Sequence, residues 1–553
     1  MRFIANGPDV PEDLLIARDK GDVIFFCGAG VSQANAHLPN FERLGRDVIR
    51  ILGSAQDSPA RKLLEKALEM GRMAGVGGLL ATDRVFGLLE REFEVADVRA
   101  AVAEAIRPPE GYGLDAHRTM LDLATSRAGV TRLVTTNFDL LFEECDPTLP
   151  CSGPPRLPDP RSDREFRGVV HLHGRVDQEY TRPHDDEFVV SSADCGRAYL
   201  SDGWATRFIQ ALLARFQIVF IGYTADDPPV QYLLEALNLG AGSRSRLFAF
   251  QEGDSGEAAA LWEHRGVQAI SFDSSNGFGP LWDTLTAWAE RARNVDAWYA
   301  SLIAKATAGP AALDPHLRGQ VARVLSTREG AHRIAVAEHT LDADWLLVLD
   351  PKHRYEPPGR AEPYDDTTKM FDPFEVLGLD FDARPEPTKP DDHFNPRKTP
   401  EDAWDAFEPN HFDQEDLAQA PSGKVRGNAA DAFASLQPRL VSLGIWIQRV
   451  AHQPIALWWA AQQGRLHPHI QQQIEFTLRH DPDRFPENIR RGWRILFAAW
   501  NDCRNDPDMV RYDIEAKAKQ EGWTGSLVRE LAGIYRPRLK VDGTFGIRHV
   551  IVG

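Results

Sequence analysis

The feature that most constrains this chain is a series of six short, apolar-rich runs in its first 295 residues, at 23–27, 130–135, 169–172, 218–221, 247–250 and 269–272. A strand with one wet face alternates apolar and polar residues, whereas runs that stay apolar predict strands covered on both faces, as in a mostly parallel sheet. Amphipathic stretches at 41–52, 60–71, 88–106, 116–126, 203–215 and 281–293 supply the covering helices. Four of them fall between the first two runs. The sequence therefore predicts an open α/β domain over 1–295, with a large helical insertion between its first two strands.

A chain of 553 residues exceeds what one hydrophobic core holds, so at least one further domain is expected. From 296 the strand signals fade, and helical stretches at 295–306 and 316–326 mark a helical linker region over 296–350. Residues 351–420 carry 18 Asp and Glu against 8 Lys and Arg, with 11 prolines, which precludes continuous helix or sheet. This predicts an acidic, proline-rich linker or loop over 351–427. Trp404, Phe407 and Phe412 leave open a docking surface for a basic or peptide partner. Helical patterns return at 429–436, 438–453, 454–463, 470–479, 488–501, 509–520 and 527–534. They predict a mainly α-helical region over 428–553, resembling an irregular α-solenoid without a fixed period. The chain closes on the apolar Val550-Ile551-Val552-Gly553 with no capping helix, a pattern shared by the inside of a longer protein.

A formal net charge of -18 argues against broad nucleic-acid binding by this chain alone, which needs a basic footprint. The five cysteines, Cys27, Cys145, Cys151, Cys195 and Cys503, form no Cys-x-x-Cys pair, so neither a disulfide framework nor a four-cysteine zinc site is expected. The start of the chain has no secretory apolar stretch. Its longest apolar runs fall well short of the roughly 20 residues that span a bilayer. A cytoplasmic setting is expected.

Chemistry concentrates where the apolar runs end. Val23-Ile24-Phe25-Phe26-Cys27 passes into Gly28-Ala29-Gly30-Val31-Ser32, a small-residue turn that lets backbone N–H groups approach a phosphate, or else a plain tight connection. Leu133-Val134-Thr135-Thr136 leads into Asn137-Phe138-Asp139, whose polar side chains stand at the ligand crevice of an open sheet. An Asx turn is the structural alternative there. Val169-Val170-His171-Leu172-His173-Gly174 puts two histidines on one face of a strand end, and Ile218 to Ile221 runs into Gly222-Tyr223-Thr224-Ala225-Asp226-Asp227-Pro228.

Taken in order, GAGVS, TTNFD, HLHG and IGYTADDP resemble the sirtuin superfamily, specifically its bacterial branch of sirtuin-like NAD hydrolases of the defence-associated type, over about residues 10–290. The resemblance implies a Rossmann-like sheet and NAD as substrate. It implies that Gly28, Ala29, Gly30 and Ser32 line the pyrophosphate, that Asn137 and Asp139 hold the nicotinamide riboside end, and that Gly222 and Asp226 lie near adenosine. Asn137 and His173 would be the catalytic pair, His173 as general base at the ribose. Protein-deacylating sirtuins carry a four-cysteine zinc module that this chain lacks, so no zinc is expected. At 38–41, Leu-Pro-Asn-Phe departs from the Ile-Pro-Asp-Phe-Arg-like segment of those enzymes, with Asn40 in place of aspartate.

The implied reaction is cleavage of the nicotinamide–ribose bond to nicotinamide and ADP-ribose, depleting NAD in antiphage defence. The helical C-terminal half would then sense or oligomerise. A homo-oligomer and a phage-derived protein activator, or an associated defence protein, are the implied partners. An NAD or ADP-ribose sensor without turnover, cyclisation, ADP-ribosyl transfer and deacylation stay open as other outcomes. Among the remaining residues, His171 is expected to be a buried, hydrogen-bonded strand histidine, His184 a solvated one, Cys27 a small hydrophobe, and Asp226 and Asp227 helix caps more readily than adenosine contacts.

Overall fold

Seven parallel strands form one sheet in the order β3-β4-β2-β1-β5-β6-β7. They are β1 (Val23–Cys27), β2 (Arg132–Thr135), β3 (Cys151–Ser152), β4 (Gly168–His171), β5 (Gln217–Ile221), β6 (Leu247–Glu252) and β7 (Gln268–Phe272). The computed structural model describes residues 1–74, 82–154, 156–185, 187–225, 231, 234, 246–275, 277–326, 328–348, 438–462 and 468–502. The chain divides into two units, one spanning Arg2–Val295 and the other Asp296–Gly553.

The predicted α/β class is the one the structure has. β1 is buried at all five positions. Its successive side chains serve opposite layers: Phe26 packs edge-on against Phe220 at 5.6 Å, while Phe25 meets Trp288 of helix Gly279–Arg293 at 5.6 Å. That two-sided burial is why the runs contain so little polar residue. Among the described residues the one strand not foreseen, β3, is two residues long and too short to carry a pattern.

Between β1 and β2 lie α2 (Ala29–Ala36), α3 (Phe41–Ile51), α4 (Pro59–Ala74), α5 (Thr82–Glu92), α6 (Val95–Ala105) and α7 (Asp115–Ala124), after a first helix α1 (Glu12–Lys20). The expected single helix over 88–106 is in fact the end of α5 and all of α6. Leu89 and Val98 are buried in the same cluster. At 3.6 residues per turn they would face opposite ways on one continuous helix, so the chain breaks at Glu94 to bring both inward. Asn40 caps α3, its side chain accepting the Arg43 N–H at 2.9 Å.

β1 has β2 on one side and β5 on the other. From β1 the chain passes to β2, on to the edge strand β3, back to β4 between β3 and β2, and then crosses over to β5. Such a reversal is where open α/β sheets bind their ligands, here at the carboxyl ends of β1, β2, β4 and β5.

The second unit is helical where described, with helices Val295–Ala306, Pro315–Ser326, Arg328–Val336, Trp345–Val348, Pro438–Val450, Pro454–Gln462, Pro468–His480 and Glu487–Asp502. Trp345, Trp446 and Trp493 are buried, and their indole N–H groups donate to the carbonyls of Ala306, Leu341 and Ala451. The acidic segment 351–427 and the expected helices at 429–436, 509–520 and 527–534 lie outside the described residues. Among the described residues no helix is long and apolar enough to cross a membrane.

Candidate functional site

The Gly28-Ala29-Gly30 turn packs into the end of β5. A Cβ on Gly28 or on Gly30 would lie 2.7 Å from Gly222 atoms, and Gly222 itself adopts φ +74. The Gly28 and Gly30 amides donate to the carbonyls of Ile221 and Gly222 at 2.8 and 3.0 Å. The glycines are thus needed first for this close backbone approach. Ala29 opens α2, whose Gly30 and Val31 amides are already taken by the carbonyls of Gly222 and Gly28.

β2 delivers Asn137. The Thr135 hydroxyl donates to Cys27 O on β1 at 2.8 Å and accepts the Asn137 N–H at 3.0 Å, which fixes the backbone just past the strand. The Asn137 amide nitrogen then donates both to Gly28 O at 3.0 Å and to Ser32 Oγ at 2.9 Å. Because Gly28 O can only accept, the nitrogen must face it. Oδ1 has no hydrogen-bond partner among the described residues and is the part of the side chain left for a ligand.

Ser32, buried in α2, donates to Asp139 Oδ2 at 2.7 Å and lies 3.2 Å from His117 Nε2. With its proton committed to the carboxylate and one lone pair to Asn137, the hydroxyl accepts from His117 Nε2–H, so every capacity is used. Asp139 also accepts the Leu141 N–H at 3.2 Å. Ser32 and Asp139 therefore face each other behind Asn137 and brace it.

The two histidines part company. β4 ends at His171, and the Gly174 N–H turns back to the His171 carbonyl at 3.2 Å, so His173 leaves the strand and does not share a face with His171. Gly174 takes φ +90, and a Cβ there would sit 2.3 Å from Glu187 O. His173 is buried, with Nε2 2.8 Å from the Tyr199 hydroxyl. Burial lowers its pKa to about 3, against a small opposing pull from Asp194, so the imidazole is neutral. Tyr199 lies in a π-helical turn, Gly196–Ser201, and burial pushes its phenol well up.

His171 is the buried, hydrogen-bonded histidine expected. Its Nδ1 lies 3.1 Å from Asn137 O and its Nε2 3.0 Å from Glu143 Oε1, which Arg175 also meets at 3.2 Å. His184 is exposed and Cys27 fully buried. Asp226 and Asp227 lie outside the described residues. Cys27, Cys145, Cys151 and Cys195 are free thiols. Among the described residues no group of three His, Cys, Asp or Glu is gathered as a metal requires.

Sequence reasoning missed His117, Tyr199, Glu143 and Arg175. His117, Tyr199 and Glu143 reach the site from helices that carry no motif, whereas Arg175 directly follows His171-Leu172-His173-Gly174. His117 had one usable signal, a polar residue on the buried face of α7, but that pattern equally marks a structural histidine.

Residues 131–270 match a SIR2-like domain, which supports the sirtuin-like superfamily for the α/β domain. A search of curated proteins finds an uncharacterized protein, y4cA, of Sinorhizobium fredii, 35% identical over 328 residues. The aligned part is 56% of this chain and 26% of that relative, so this chain spans about a quarter of its length.

Proposed function

We propose that the α/β domain is an NAD glycohydrolase, cleaving the nicotinamide–ribose bond to release nicotinamide and ADP-ribose. The observation that carries this reading is the braced Asn137: its amide nitrogen is consumed by Gly28 and Ser32, leaving Oδ1 open beside the crevice. SIR2-like domains generally act on NAD, which makes that nucleotide the first substrate to test.

Nicotinamide in NAD is a cationic leaving group, so the protein has mainly to orient the ribose, tolerate developing positive charge and deliver water. Asn137 Oδ1 is an acceptor for a ribose hydroxyl or for the attacking water. His173 is neutral and can take a proton. When its Nε2–H donates to the Tyr199 oxygen, Nδ1 carries the lone pair that accepts it. Gly28, Ala29, Gly30 and Gly222 form the tightly packed turn that the resemblance sets beside the pyrophosphate and adenosine, with Ser32 and Asp139 acting from behind.

In this reading NAD loss serves antiphage defence in the cytoplasm, the helical unit senses infection or assembles a homo-oligomer, and a phage-derived protein releases the activity. The resemblance of the motifs supports these steps. The test is purified protein, alone and with fractions of phage-infected cells, given NAD and followed by chromatography, with His173→Ala as control. Nicotinamide and ADP-ribose in equal amounts, lost in the variant, establish the hydrolase. NAD bound without products assigns a nucleotide sensor, and modified protein or an acetylated ribose assigns transfer or deacylation.

A further inference from the structure

His171 faces two groups that can only accept. Asn137 O is a carbonyl 3.1 Å from Nδ1, and Glu143 Oε1 is 3.0 Å from Nε2. A neutral imidazole has one N–H and would set a lone pair against oxygen at one of these contacts. Both are satisfied only by an imidazolium, with Nδ1–H donating to Asn137 and Nε2–H to Glu143.

We propose that His171 is a charged positioning residue: as an imidazolium it ties the Asn137 backbone to Glu143, holding the Asn137 side chain where Gly28 and Ser32 brace it, and deprotonation loosens Asn137. Its catalytic consequence rests on the hydrolase reading above, while its charge does not.

The surroundings agree. Burial works to lower the His171 pKa, but the Glu143 charge and hydrogen bond, the Asn137 carbonyl and Asp139 together raise it. Burial would raise the Glu143 carboxyl, yet His171 and Arg175 hold it down at about 2. Cys151, on β3, faces Glu143 as a neutral thiol, pushed up to about 12 by burial and then by that carboxylate. His117, on α7, is kept neutral by burial against the pull of Asp139 and Glu143. His171, Glu143 and Arg175 thus form a cation–anion–cation row, both cations meeting Oε1. A raised pKa means the charge persists through the ordinary histidine range and is lost as pH rises beyond it, giving kcat an alkaline limb.

The test uses the full chain with Glu143→Gln and His171→Gln. Imidazole nitrogen shifts of histidine-labelled protein, assigned by the loss in His171→Gln, report the charge without turnover. The wild type is expected to keep a doubly protonated His171 at pH 7.5. In Glu143→Gln the alkaline limb of kcat is expected to move down by about one pH unit or more, with KM changed less than about two-fold and kcat restored at acid pH. His171→Gln, which does not titrate, should lose the limb. A neutral His171 in the wild type at pH 7 overturns the proposal whatever the activity. A charged His171 with the same kcat profile in wild type and Glu143→Gln overturns the positioning role while the hydrolase stands. If the wild type never turns over NAD, the Asn137 side-chain amide resonance decides: movement as His171 titrates supports the tether, and none overturns it.

Discussion

The two edges of the parallel sheet bury polar groups in different ways. At the amino ends of the strands, buried Arg18 donates to four backbone carbonyls, those of Leu123, Ala292, Asp122 and Thr125, at 2.8 to 3.1 Å. Arg132, also at that edge, donates to Phe166 O and to Asp163. At the carboxyl ends, side chains hold other side chains: Asn137 to Ser32, Ser32 to Asp139, His171 to Glu143, His173 to Tyr199. Cations on carbonyls tie loops together. Side-chain networks orient particular atoms, and this one leaves Asn137 Oδ1 free. Trp345, Trp446 and Trp493 of the helical unit follow the first pattern, each N–H ending on a carbonyl. The amino edge should therefore govern stability and the carboxyl edge activity.

The largest effect expected is at the carboxyl edge. His173→Ala should lower the rate of NAD hydrolysis roughly 10²–10⁴-fold, as loss of a general base does, with Asn137→Ala equally close to background. Single-turnover assays measure this, and the unfolding midpoint of His173→Ala should stay near that of the wild type. Near-normal turnover in either variant breaks the comparison.

Next is the amino edge. Burial lowers the Arg18 pKa to about 10, although Asp19 works against it. Arg18→Met leaves several buried carbonyls without a donor, at about 1–3 kcal/mol for each unsatisfied group that water does not reach. Urea unfolding should register a loss of about 3 kcal/mol or more, while kcat of the folded fraction is unchanged. A variant equally stable but inactive would reverse the roles of the two edges.

What could be read in advance follows from the same division. Burial on two faces writes itself into β1, β5 and β6 as continuous apolar runs, and the polar residues that follow β2 and β4 pointed to Asn137 and His173. The directions of their neighbours were not readable. Ser32 and Asp139 are 107 positions apart, and nothing local says that the serine proton goes to that carboxylate. The break between α5 and α6 is likewise set by a shared cluster and not by a helix-breaking residue. His171 was legible as buried because it ends a strand, but its charge depends on Glu143, in a five-residue helix that carries no motif.

A smaller effect separates the two histidines by pH. His173, depressed to about 3 when folded, binds a proton more readily unfolded, so its contribution to stability is complete above the ordinary histidine pKa of about 6.5. That contribution drains as pH falls from there toward 3, by at most about 1.4 kcal/mol per pH unit. His171, raised when folded, has the opposite sign: its contribution is complete below about 6.5 and is lost as pH rises through the folded value. Urea titrations across pH should find His173→Gln less acid-sensitive than the wild type and His171→Gln less alkali-sensitive. Matching slopes in both variants would mean that the two sites do not differ in charge.

The smallest effect is expected of Tyr199→Phe, and it bears most directly on how the carboxyl edge works. The ring packs edge-on against His173 with centroids 5.9 Å apart, a contact that phenylalanine retains. Only the hydroxyl at 2.8 Å from Nε2 is lost. If that oxygen serves to orient the imidazole and select its tautomer, kcat should fall about three- to ten-fold, near the 1 kcal/mol of one neutral hydrogen bond, with KM and the pH profile unchanged. If the phenol instead carries the proton away from His173, removing it breaks the path, and kcat should fall as far as in His173→Ala. Because the phenol is pushed well above its ordinary range and stays protonated, a relay through it must hand on one proton as it receives another. The ratio of the two kcat losses therefore separates a group that aims the base from one that shares its proton.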